Sequence, residues 1–187
     1  GAAAEALGDA PPDRSEEARA ALRPLVDDPI GAVRAAAIGS LGRLADVEAL
    51  DDIIGRFEDL DPTVRQIALM AVAEIGEARA APALERALRR SEPDVRFQAV
   101  ASLALLAGEG SIGPLSRLVS DDDPAVRAQL ADALGSLEVP AARPPLTKLL
   151  ADEEVAVRRA AAIGLARCGD DSGAAELVEA LNDKERC

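Results

Sequence analysis

The sequence predicts an all-α protein, an α-solenoid of stacked antiparallel helix pairs with a 31-residue repeat. Three observations predict it. The pairs Val33-Arg34, Val64-Arg65, Val95-Arg96, Val126-Arg127 and Val157-Arg158 follow one another at steps of 31 residues, without drift. Apolar columns keep the same step. Leu41, Val72, Leu103, Leu134 and Leu165 stand eight residues after each Val, and Ile53, Leu84, Leu115, Leu146 and Leu177 stand twenty after it. Phe57, Leu88, Val119, Leu150 and Leu181 stand twenty-four after it. Finally, 49% of the residues are apolar but 1% are aromatic, Phe57 and Phe97 alone, so small aliphatic side chains must build the interior. That suits closely packed helices, and a fixed period between 20 and 50 residues is the mark of a repeat architecture.

Each period reads as two helices. Asp61-Pro62, Glu92-Pro93 and Asp123-Pro124 set an acidic cap before a proline at the first helical position, where the missing N–H costs nothing. In the first helix, apolar residues at offsets 0, 4, 5, 8 and 11 from the Val form one stripe at helical spacing. Gly76, Gly108 and Gly169 stand near its end as C-caps. The second helix carries its stripe at offsets 17, 20 and 24, and several copies begin around a proline: Pro82, Pro114, Pro144 and Pro145. No segment alternates with the period of a strand. One hairpin cannot bury two stripes, whereas stacked neighbours can. The expected organisation is a single domain over 1–187, with a partial repeat at 1–27 and full ones at 28–58, 59–89, 90–120, 121–151 and 152–182. The chain ends one residue before the next Val would fall, so the expectation is a segment of a longer array, with end-to-end self-association through its terminal repeats.

The bulk chemistry narrows the function classes. A net charge of −13 opposes binding to a nucleic-acid backbone. Histidine is absent, which removes the commonest general base and zinc ligand. Cys168 and Cys187 make neither a zinc cage nor a disulfide framework. Cys168 falls on the offset-11 core column, and Cys187 reads as a terminal free thiol. No apolar run reaches the roughly 20 residues of a membrane span, and no signal peptide is evident, so a cytoplasmic location is expected. No catalytic residue, metal site or cofactor is expected.

The pattern DPxVRxxAxxALGxLG followed by AxPxLxxLL resembles the short HEAT-like repeats of bilin lyases and of many bacterial scaffold proteins. The resemblance covers nearly the whole chain and rests on residues that pack. It implies a HEAT/armadillo-like superhelix with second helices lining its concave face. The function it implies first is a non-catalytic scaffold or adaptor for another protein. The alternatives are a bilin-lyase-like chaperone of chromophore attachment and a regulatory segment of a larger protein. Deoxyhypusine hydroxylase, which is of similar build, holds iron through His-Glu motifs that this chain cannot supply.

Three sets of residues compete for a role. Arg34, Arg65, Arg96, Arg127 and Arg158 form a ladder, read as a structural tie between acidic turns and alternatively as a basic ridge. Arg86, Arg117 and Lys148 share offset 22, about 200° from the core positions on a helix, and Arg56 and Arg89 lie near them. They suit an acidic peptide or a phosphate on the concave face; the competing reading is that late cations complement the helix dipole. Gly55 and Glu179 break that column at its ends. On the first helices, Met70, Phe97, Ala101 and Leu105, with Ile163 further along, form an outward apolar patch, unless neighbouring repeats cover it. The acidic runs, including Asp121 to Asp123, read as caps and solvated turns rather than a catalytic pair or calcium site.

Overall fold

The computed structural model describes residues 15–178 of the chain. Leu181 and Cys187, Glu179 at the end of the offset-22 column, and residues 1–14 of the partial first repeat lie outside the described residues. The chain divides into two compact units, residues 1–102 and 103–187.

In the first unit α1 (Ser15–Leu22) runs into a 3₁₀ turn, and two helix pairs follow. These are α2 (Gly31–Arg43) with α3 (Leu50–Gly55), and α4 (Pro62–Ile75) with α5 (Ala81–Ala87). The next first helix, α6 (Pro93–Ala107), begins in this unit and ends in the other. The second unit continues with α7 (Ile112–Leu115), α8 (Pro124–Ser136), α9 (Arg143–Leu149) and α10 (Val155–Arg167), and residues 174–178 are helical. No strand occurs among the described residues.

Local chemistry accounts for several of these boundaries. The Asp61 and Asp123 carboxylates accept from the N–H of Thr63 and Ala125 at 2.9 and 2.8 Å, capping α4 and α8 ahead of their prolines. Two residues earlier, Asp59 and Asp121 accept from the N–H of Asp61 and Asp123, and Asp28 and Asp152 do the same in their own turns. Gly76 and Gly169 close first helices in the left-handed region, at φ 78° and 71°. Ala45 and Glu138 occupy the equivalent positions at φ 49° and 55° without being glycine.

The offset-8 and offset-20 columns are buried in every described repeat except at Leu177, which is half-buried. The offset-24 column splits. Phe57 and Leu88 are buried, but Val119 and Leu150 are only half-buried, and Leu118 and Leu149 enter the core in their place. Second helices are short, and the residue three positions after the offset-20 leucine lies on the same face as it. Ala87 at that position leaves room for Leu88, whereas Leu118 and Leu149 fill the space themselves. First helices cross through small residues. A Cβ on Gly135 would lie 2.5 Å from the Gly164 Cα, and one on Gly42 would lie 2.8 Å from the Ala71 Cβ.

The 26-residue run Pro93–Leu118 is long and apolar enough, by length and composition alone, to cross a membrane, which the residue-by-residue reading did not expect. Within it Val95, Ala99, Val100, Leu103 and Leu115 are buried in the protein, and a 3₁₀ turn at Gly108–Ser111 interrupts it.

Candidate binding surface on the second helices

The arginine ladder sits at the inter-repeat turns. Arg34, Arg65, Arg96, Arg127 and Arg158 each donate through Nη1 to the carbonyl six residues earlier, at 2.7 to 3.0 Å. Arg34 also grips Asp59 in a two-point pair at 2.9 and 2.7 Å, and Arg127 grips Asp152 at 2.7 and 2.9 Å. The acid in each pair belongs to the following turn, so one guanidinium closes its own turn and holds the next. Burial opposes the charge on Asp59, but bonds from Arg34 and the Asp61 N–H outweigh it and hold the carboxyl below its ordinary value. The bond from Arg127 does the same for Asp152, against burial. Arg90 replaces aspartate in the third turn, and Arg65 reaches Asp94 instead, at 2.7 Å. Arg158 turns to Glu176 at 3.1 Å.

Sequence periodicity gave no sign of two further ties. Arg19 and Arg143 interrupt the apolar offset-17 column. Arg19 donates to the Leu44 carbonyl at 2.7 Å, and Arg143 to the Cys168 carbonyl at 3.0 Å, so each caps the end of the next first helix. Their shared 25-residue reach, the same as that of Arg34 to Asp59, was the available signal. Two exposed apolar turn residues also went unread: Leu60, which is 97% exposed, and Ile30.

Against this background of engaged arginines, a few cations stand apart. Among the described residues Arg86, Arg89, Arg117, Lys148 and Arg167 are exposed and make no ion pair or side-chain hydrogen bond. All but Arg167 stand on a second helix or the turn that closes it: Arg86 and Arg89 in the first unit, Arg117 and Lys148 in the second. Arg56 differs from them. It is held by Asp27 and lies 3.9 Å from Asp59, so its charge is already engaged.

Between α3 and α5 in the first unit lies a groove of about 410 Å³. Ile54, Phe57, Ala83 and Ala87 line it, with Arg86 and Arg90 at its wall. Arg90 holds the Glu58 carboxylate at 2.5 Å. On the first helices Met70 is 42% exposed and lines a second groove, of about 440 Å³, between α2 and α4. Phe97 is 37% and Leu105 72% exposed, Ile163 is exposed on α10, and Ala101 is half-buried. The Cys168 thiol is buried, and burial pushes its pKa up, away from the reactive thiolate. Among the described residues no group of three or more Cys, Asp or Glu side chains is placed to hold a metal ion.

Comparison with known proteins places these features in a family. The model of the HEAT repeats matches residues 1–63, 53–118 and 113–186. Similar solved structures include the CpcE–CpcF complex of phycocyanin lyase from Nostoc sp. PCC7120, at 21% identity and a TM-score of 0.65, over 80% of this chain and 64% of that one. A designed armadillo repeat protein in complex with the peptide (KR)4 aligns at 20% identity and a TM-score of 0.61, over 88% of this chain and 89% of that one. The Escherichia coli protein YibA aligns at 19% identity and a TM-score of 0.63, over 90% of this chain and 64% of its own. No curated protein matches the sequence. Three family matches that together run through the chain, on an all-α framework of paired helices, make the protein a member of the HEAT-repeat family.

Proposed function

We propose that the chain is a non-catalytic interaction module that holds an acidic or phosphorylated segment of another protein against its second helices. The observation that carries this is the contrast among the cations. Among the described residues most arginines are engaged by a carboxylate, a carbonyl or another side chain, while Arg86, Arg89, Arg117 and Lys148 on the second helices, with Arg167 elsewhere, stand exposed and make no ion pair. Holding unpaired cations at one helix position in an acidic chain gains little for the fold, because exposed charges contribute little to stability. It suits a surface that recognises an anionic group on a partner.

The test is affinity capture from a lysate of the source organism, with wild type beside the triple variant Arg86→Glu, Arg117→Glu, Lys148→Glu. A protein retained by wild type and lost from the variant supports the reading. Partners captured equally by both would move the contact surface to Met70, Phe97, Ala101 and Leu105. The likeness to a phycocyanin lyase supports a competing role in chromophore attachment. Incubation with a bilin and an apo-phycobiliprotein checks it, since a covalent coloured product would replace the scaffold reading.

A further inference from the structure

We propose that the groove between α3 and α5 is a docking site for an extended acidic segment of a partner protein. The segment seats a large apolar side chain over Phe57 and sets a neighbouring carboxylate against Arg86. The proposal rests on the interaction-module reading and narrows it to one site and one ligand chemistry.

Gly55 carries the argument. It occupies the same repeat position as Arg86, Arg117 and Lys148, so among the full repeats a long side chain is the rule there and Gly55 is the exception, while Pro24 holds the place in the partial first repeat. Its backbone lies at φ −58° and ψ −23°, in the right-handed helical region open to every residue. A Cβ built on it would meet nothing within 4 Å. Neither conformation nor space therefore requires glycine, and glycine is among the least favourable helix residues. What its missing side chain does is leave the groove open. The same repeat departs from the others two residues later, where the twenty-fourth position holds Phe57 rather than Leu88, Val119 or Leu150. Phe57 is 7% exposed and forms the floor with Ile54, Ala83 and Ala87. One repeat thus combines the open position with the only aromatic of its column.

Charge selects the occupant. The single carboxylate in the wall, Glu58, is taken by Arg90, and Arg86 beside it has no partner among the described residues. Arg89 adds a second unpaired cation in the turn that closes α5. Glu85 lies on the same helix but outside the groove lining. A space of about 410 Å³ is the size of a site for one large side chain and its flanking backbone, and too small for a folded surface. An apolar floor beside an unsatisfied guanidinium suits a large apolar residue next to Glu or Asp, since the carboxylate supplies the missing half of a charge-assisted pair.

The experiment selects randomised seven-residue peptides in parallel against the full 187-residue chain and its Gly55→Leu variant. The expected result is enrichment, on wild type, of peptides with an aromatic or large aliphatic residue within two positions of Glu or Asp. Those peptides should lose at least tenfold in affinity on Gly55→Leu and on Arg86→Glu, while Gly55→Ala, which adds one methyl, keeps binding. Gly55→Leu should melt at or above the wild-type temperature, which separates a blocked groove from a damaged fold. No enriched motif, a basic motif, or a motif unchanged by Gly55→Leu would overturn the proposal. If natural partners lost from the triple cation variant are retained by Gly55→Leu, the interaction reading stands and the groove falls.

Discussion

Two first helices end on a residue that the backbone does not suit, and replacing it should stabilise the protein. Ala45 and Glu138 sit at φ 49° and 55°, where Gly76 and Gly169 stand in their own repeats. A non-glycine residue in the left-handed region carries a penalty of about 1–2 kcal/mol from its Cβ. Glycine removes that penalty but makes the unfolded chain more disordered, at about 0.5–1 kcal/mol. The difference leaves a net gain of roughly 0.5–1 kcal/mol per site. Both side chains are exposed and neither makes an ion pair among the described residues, so little else is lost. The sites lie in different units and should add, giving about 1–2 kcal/mol for Ala45→Gly with Glu138→Gly. For a chain of this size that is a rise in Tm of about 2–8 °C. Calorimetry with urea unfolding reads both quantities. In the opposite direction, Gly76→Ala should cost about 1–2 kcal/mol. A lower Tm for either glycine variant would refute the argument that these helix ends are strained.

Acid should unfasten the inter-repeat pairs. Asp59 and Asp152 are held below their ordinary value of 3.8, so the stability they contribute is complete above that pH. It drains away as pH falls through their lowered values, and Asp59→Asn with Asp152→Asn should flatten the acid limb of a stability–pH curve. Arg127→Met strands the buried Asp152 and should cost about 3–5 kcal/mol, part of it recovered in the double variant Arg127→Met, Asp152→Leu. A loss in the double variant equal to the sum of the two single-variant losses would show that the pair is not coupled. Gly135→Ala drives a methyl against the Gly164 backbone and should destabilise by about 1–3 kcal/mol in thermal melts. Arg86→Glu, Arg117→Glu and Lys148→Glu together should leave helix content and cooperative melting unchanged by circular dichroism, because all three are exposed.

Much of the fold was legible because packing is written in single residues at fixed steps. Leu41, Val72 and their equivalents could be placed in the core from spacing alone. Positions set by helix pitch were harder to place. The stripe on second helices slips from Val119 and Leu150 to Leu118 and Leu149 where the residue one position earlier is a leucine instead of the alanine at Ala87, and only steric detail decides that. The surface was legible as exposure but not as bookkeeping of charge. Offset 22 identified Arg86, Arg117 and Lys148 as outward-facing, yet Arg56 beside them is consumed by Asp27, from the previous repeat. Gly55 read as a gap in a basic column, and only its empty surroundings show that the gap is not required by packing.

The side-chain bonds from Arg19, Arg34, Arg65, Arg127 and Arg143 reach 25 to 29 residues along the chain, less than one period. Fasteners of that reach act between adjacent links, so a pull on the ends meets them in succession. Stretched between two anchors, such a polymer should lengthen in instalments, each freed repeat paying out roughly 100 Å of extended chain. Tethered to other domains, the protein would act as an extensible spring whose stiffness is set link by link.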